Sequence, residues 1–203
     1  MKDKFKTFTG GIFETNCYLL NCSGGNLLVD APDGADQAFA DEKIDILFLT
    51  HGHFDHVIDA AKIQARHDCE ILYHPETSAL VETADAFKKY GFALEITPFK
   101  ASRLVNAQKG IDLLGTQWDL LDVPGHCPGS LALYHAGAEN VFSGDALFKE
   151  SIGRSDLPGG DHALLLKSIR DQLFTLPDTT SVYPGHGGLS SIGHEKKHNP
   201  FLQ

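Results

Sequence analysis

The run His51-Gly52-His53-Phe54-Asp55-His56 places four metal-capable side chains within six positions, directly behind the apolar stretch Ile44-Asp45-Ile46-Leu47-Phe48-Leu49-Thr50. That stretch reads as a buried strand. Two histidines two residues apart on an extended segment can reach one cation. Asp55 and His56, at the turn into the next element, can reach a second. A polar loop would account for one histidine; three histidines and an aspartate behind a hydrophobic strand point to a two-metal hydrolytic site.

Three later segments repeat the arrangement of an apolar strand ending in a ligand. Trp118-Asp119-Leu120-Leu121-Asp122-Val123 stops at Pro124-Gly125 and presents His126. Val141-Phe142-Ser143-Gly144 leads to Asp145, with Gly144 available for a tight turn. Ser181-Val182-Tyr183-Pro184-Gly185 leads to His186. Singly, each is an ordinary turn residue; ordered behind the histidine-rich run, they form a set.

The elements that must position these tips are legible as hydrophobic periodicity. Strands are predicted over 12–20, 27–30, 44–50, 70–74, 117–123, 131–134, 141–143 and 181–183. Helical spacing appears at Ile58, Ala61 and Ala65, at Leu80, Ala84 and Phe87, and at Leu165, Ile169, Leu173 and Leu176 before Pro177. Strands alternating with helices give an α/β class. At 203 residues and 42% hydrophobic, the chain is expected to form one domain spanning 1–203. No apolar leader or membrane-length run appears, so a cytoplasmic protein without membrane contact is expected.

The formal charge is −10, from 27 acidic and 17 basic residues, and no basic cluster exceeds a lysine pair such as Lys196-Lys197. A nuclease needs a basic face to neutralise phosphates, so nucleic acid is not the expected partner. Cys17, Cys22, Cys69 and Cys127 contain no C-x-x-C pair and read as reduced thiols. Cys127, next to His126, reads as a small buried residue, the alternative being a redox-sensitive group beside the site. His67, His74, His135, His162, His194 and His198 lack the strand-tip setting and read as ordinary imidazoles.

The order His51-x-His53-x-Asp55-His56, His126, Asp145, His186, with Asp30 closing Asn26-Leu27-Leu28-Val29-Asp30, resembles the metallo-β-lactamase fold superfamily. The segments 153–162 and 193–203 resemble the small glyoxalase II-like (hydroxyacylglutathione hydrolase-like) enzymes of that superfamily. The resemblance implies a four-layer αβ/βα sandwich with the metals at one edge of two packed sheets. It implies that His51, His53 and His126 bind the first metal, that Asp55, His56 and His186 bind the second, and that Asp145 bridges them. It also implies that Asp30 supports the ligand loop through hydrogen bonds.

Seven nitrogen and oxygen ligands without a thiolate suit two divalent ions, with zinc expected and iron or manganese compatible. Such a pair makes a hydroxide nucleophile from water at neutral pH, and Asp55 is placed to orient the water and take its proton. By resemblance, Arg154 grips an anionic thiol carrier, favouring a small-molecule thioester, glutathione-linked in the family's own substrates. The alternative is that Arg154 merely pairs with Asp156. Two other functions stay open: a mononuclear iron persulfide dioxygenase using His51, His126 and Asp145, or another metallo-β-lactamase-fold hydrolase of small esters. A catalytically silent metal-binding protein is a further class. Nothing in the sequence fixes the oligomeric state.

Overall fold

The computed structural model describes residues 5–91 and 95–203. Its first sheet runs in spatial order through β1 (Phe5–Gly10), β2 (Thr15–Cys22), β3 (Gly25–Val29), β4 (Ile46–Phe48), β5 (Glu70–Tyr73) and β6 (Arg103–Leu104). β1 to β3 are antiparallel, and β3 to β6 pair in parallel. The parallel steps need crossovers. The helices α1 (Ala35–Ala38), α2 (Phe54–Val57), α3 (Ala60–His67) and α4 (Ser78–Val81) lie within those crossovers.

The second sheet contains β7 (Gln108–Leu113), β8 (Thr116–Asp122), β9 (Leu131–His135), β10 (Asn140–Gly144), β13 (Ser181–Pro184) and β14 (Ser190–Ser191), in the order β14-β13-β10-β9-β8-β7. Between β10 and β13 come a small hairpin of β11 (Leu147–Phe148) and β12 (Ser151–Ile152) and the helix α5 (His162–Ser168); α6 (Ile192–His198) follows β14. β10 and β13 are parallel, and the other pairings of this sheet are antiparallel.

Strand alternation divides the interior into three apolar layers, which makes the fold a four-layer αβ/βα sandwich. Tyr18, Leu27, Val29, Ile46 and Phe48 point inward to meet Leu120, Leu133 and Phe142 of the other sheet. The intervening Leu19, Leu28 and Leu47 point outward to Ile63 of α3 and to Leu80 and Val81 of α4. On the far side Leu121, Tyr134 and Val141 meet Leu165, Ile169, Leu173 and Ile192. The period of two puts neighbouring residues on opposite faces, so each central strand is buried on both sides.

The spacing of Leu165, Ile169 and Leu173 predicts one amphipathic helix, and the chain builds it from α5 continued by a π-helical turn over Ile169–Leu173. Asp161 caps its start, its Oδ1 accepting from the Leu164 amide at 2.9 Å. Such a cap stabilises by about 1 kcal/mol. The helical spacing at Leu80, Ala84 and Phe87 does not become one helix: α4 stops at Val81, and a 3-10 turn covers Ala86–Tyr90. The strand expected over 12–20 is also shorter. Gly11 and Glu14 both take positive φ, and the chain reverses between β1 and β2 there.

Candidate metal centre

All four predicted strand tips converge at one end of the sandwich. The loop after β4 carries His51 and His53, the short helix α2 carries Asp55 and His56, and the segments following β8, β10 and β13 supply His126, Asp145 and His186. Two backbone contacts bring the sheets together here: the Leu131 amide donates to the Thr50 carbonyl at 2.8 Å, and the Asn16 amide to the Gly185 carbonyl at 2.7 Å. Gly144, at φ 50°, is required by proximity as well as by its turn, because a Cβ there would come within 2.7 Å of Thr50 Oγ1. A Cβ at Gly185 would overlap Asp145 Oδ1.

The seven side chains fall into overlapping triples whose donor atoms lie within 4.8 Å of one another: His51, His53 and His126; Asp55, His56 and His186; and His51, His56 and Asp145. Asp145 reaches towards both outer triples. Its Oδ1 is 3.2 Å from His56 Nε2, and its Oδ2 is 3.3 Å from His186 Nε2 and 3.5 Å from His126 Nε2. Asp55 Oδ2 is 3.3 Å from His186 Nε2 and 3.6 Å from His56 Nε2.

Four of the imidazoles are anchored through the nitrogen that faces away from this cluster. Asp30 Oδ2 lies 2.8 Å from His56 Nδ1, Thr50 Oγ1 is 3.1 Å from His51 Nδ1, the Arg154 carbonyl is 2.7 Å from His126 Nδ1, and the Phe13 carbonyl is 3.0 Å from His186 Nδ1. An imidazole held in this way has its ring plane fixed, with Nε2 turned towards the cluster; within it, His53 Nδ1 lies 2.8 Å from His126 Nε2. Asp30 also accepts from the Thr50 amide at 2.8 Å, which pins the start of the histidine loop. Thr15 Oγ1 donates to Asp55 Oδ2 at 2.8 Å.

Three buried polar atoms test whether a cation fits. His51 Nε2, His56 Nε2 and Asp145 Oδ1 lack a hydrogen bond of good geometry, the last two facing each other at 3.2 Å as an ion pair, and all three belong to one of the triples. A buried acceptor without a partner is costly, and a cation among these atoms satisfies all three. Titration agrees. Burial, then the neighbouring histidines, holds His51 well below its ordinary pKa; burial, then His126, takes His53 down to about 3. Burial also lowers His126. These rings are therefore neutral, the form that ligates metal.

At the other triple burial is outweighed by charge. Against burial, Asp145, Asp55 and Asp30 hold His56 well above its ordinary value, and hydrogen bonds to Asp145 and Asp55 raise His186 to about 10. Burial would raise Asp145 and Asp55, but His56 and His186 bring the first well below its usual range and the second to about 2. The carboxylates draw positive charge to the position that a divalent cation would fill.

Among the other predicted positions, Cys127 is 1% exposed and packs in the helix-side core. Arg154 forms a bidentate pair with Asp156, at 2.8 Å for both contacts, and also lines the cavity beside the cluster. That cavity holds about 390 Å³. Thr15, the Phe13 carbonyl and the Arg154 carbonyl are contacts that sequence reasoning misses. Two are backbone groups, and Thr15 carries no motif.

A strand-tip constellation of five histidines and two aspartates at one edge of an αβ/βα sandwich is the pattern of a metal-binding α/β protein. The metallo-β-lactamase superfamily model matches residues 10–186, and the chain belongs to that superfamily. It is 33% identical over 198 residues to the hydroxyacylglutathione hydrolase GloC of Haemophilus influenzae, covering 94% of this chain and 93% of that protein. Among solved structures it is similar to the BLEG-1 B3 metallo-β-lactamase, with 33% identity and a TM-score of 0.89 over 98% of this chain and 99% of that one. It is also similar to TTHA1623 in a di-iron-bound form, with 36% identity and a TM-score of 0.85 over 97% and 100%. Among the described residues, no helix is long and apolar enough to cross a membrane.

Proposed function

We propose that this protein is a dinuclear metal-dependent hydrolase of thioesters, of hydroxyacylglutathione hydrolase type, acting in the cytoplasm on small molecules. The observation that carries the reading is the pair of ligand triples reached in common by Asp145. When bound, two divalent cations lower the pKa of water and polarise an acyl carbonyl. His51, His53 and His126 would hold one ion, Asp55, His56 and His186 the other, and Asp145 both. A donor set of nitrogen and oxygen without sulfur suits zinc, and the di-iron form of TTHA1623 makes iron the natural comparison. The name of the Haemophilus relative supports the thioester.

The chain's own residues would do the rest. Asp55, ionised at neutral pH and fixed through Thr15, orients the incoming water. Arg154, whose carbonyl holds His126, places a guanidinium at the cavity rim, where a carboxylate of the thiol carrier would exchange with Asp156. The four buried, free cysteines accord with a reducing compartment.

The test is elemental analysis of protein purified without added metal, followed by rates on S-D-lactoylglutathione and related thioesters, nitrocefin and a phosphodiester. The thioesters should be the fastest. Arg154→Ala should raise KM more than it lowers kcat, because a contact remote from the carbonyl contributes mostly uniform binding. No turnover of any glutathione thioester, with oxygen uptake on glutathione persulfide, would replace this reading with a mononuclear dioxygenase on His51, His126 and Asp145.

A further inference from the structure

The cavity beside the candidate metal centre is far more apolar than a small hydroxyacyl group requires. Apart from the candidate ligands, its described wall is built from Phe13, Phe54, Leu80, Phe87, Phe148 and Leu157, together with Pro158 and Arg154. Phe13 meets Phe54 edge-on at 5.5 Å, Phe54 meets Phe87 at 5.8 Å, and Phe148 stands edge-on to His186 at 5.8 Å. Aromatic walls thus flank the ligand cluster.

The wall is apolar from floor to mouth. Phe87, 2% exposed, and Leu80, 7% exposed, lie deepest, whereas Phe13, 50% exposed, shares the mouth with the Arg154 side chain, 59% exposed. Apart from the candidate ligands, the cavity's described wall offers one cationic side chain, Arg154, at the rim and already paired with Asp156. A charged thiol carrier cannot enter the apolar depth without losing its hydration, so it stays at the rim. The substituent on the reacting carbonyl then faces the phenyl rings and Leu80.

Resting on the acyl-hydrolase reading above, we infer that the preferred substrates are thioesters whose acyl group carries a bulky apolar, aromatic substituent. A cavity of about 390 Å³ lies within the usual range for a small-ligand site. The edge-on phenylalanines offer ring contacts that a methyl group cannot use. In the reaction water adds its oxygen to the carbonyl carbon and the C–S bond breaks. The sulfur leaves with the bonding pair and takes one of the water's protons to become the thiol, and the apolar acyl group departs as its carboxylate, the second proton passing to solvent.

The test compares S-mandeloylglutathione with S-lactoylglutathione on the metal-loaded full chain, because these differ by phenyl against methyl on the same hydroxyacyl frame. Calorimetric binding of mandelate and lactate supplies a readout without turnover. The phenyl substrate should lead by at least about tenfold in kcat/KM, with mandelate binding tighter than lactate in the same direction. Phe13→Ala and Phe148→Ala, at partly exposed positions, should each shrink that ratio several-fold. Turnover with equal or better use of the lactoyl compound overturns the aromatic pocket and leaves the hydrolase standing. No turnover, with mandelate still favoured and the preference lost in the variants, overturns the hydrolase and upholds the pocket. No turnover and no binding preference overturns both.

Discussion

His56 Nδ1 donates to Asp30 Oδ2 at 2.8 Å, and both side chains are buried. Asp30 directly follows the strand β3 and has φ 62°, a conformation that aspartate and asparagine tolerate and most residues resist. Asp30→Asn therefore keeps the backbone while weakening the acceptor that orients His56. The variant should fold and hold metal about 10- to 100-fold more weakly in chelator competition. Unchanged affinity would show that His56 is oriented without Asp30.

Metal stoichiometry tests the ligand map. Fully loaded protein should contain two ions per chain. Asp145 reaches towards both triples, whereas His186 belongs to one. Asp145→Asn should therefore lose more metal than His186→Ala in elemental analysis. Equal and undiminished content in the two variants would mean that the assignment is wrong.

The stability of the chelator-stripped protein should fall on both sides of neutrality. His53, depressed to about 3, contributes stability that is present above its unfolded value near 6.5 and is lost as pH falls through the window down to 3. His186, raised to about 10, contributes in the opposite sense: its stabilisation is present below 6.5 and is lost as pH rises towards 10. Melting temperatures across pH should show both limbs. The acid limb should become shallower in His53→Gln; an identical acid limb in that variant counts against a partly buried, neutral His53.

Burial pushes the Cys127 thiol up to about 12 and the Cys69 thiol to about 11. The thiolate is the reactive form, so native protein at pH 8 should resist iodoacetamide at both positions while denatured protein reacts at all four cysteines. Mass spectrometry decides it. Rapid native labelling of Cys127 would revive a redox role beside His126.

The parts of this molecule legible in the sequence are those written in hydrophobic alternation and in ligand types. Apolar runs ending in His51, His126, Asp145 and His186 locate the centre because a strand must stop where its side chains turn to chemistry. β1 and β7 escape notice because their apolar signal is sparse: β1 offers Phe5 and Phe8 on opposite faces and has no fully buried residue, and β7 offers only Ile111 and Leu113 at its end. α6 escapes because Ile192-Gly193-His194-Glu195-Lys196-Lys197-His198 is polar, and Ile192 and Glu195 alone are buried in it. Leu80 and Phe87 pack in one apolar layer although α4 ends between them, so their helical spacing reports shared burial and not a continuous helix. The carbonyls of Phe13 and Arg154 have no residue-type signature.

The candidate ligands are drawn from both sheets, with His51, His53, Asp55 and His56 following a strand of the first and His126, Asp145 and His186 following strands of the second. Ions bound there would rivet the two halves of the sandwich at one end, so that prising them apart requires releasing metal as well as opening the apolar layer between them. Loading should therefore slow amide hydrogen exchange together in β4 and β10, which belong to opposite sheets, and make resistance to mechanical and proteolytic opening depend on free metal concentration.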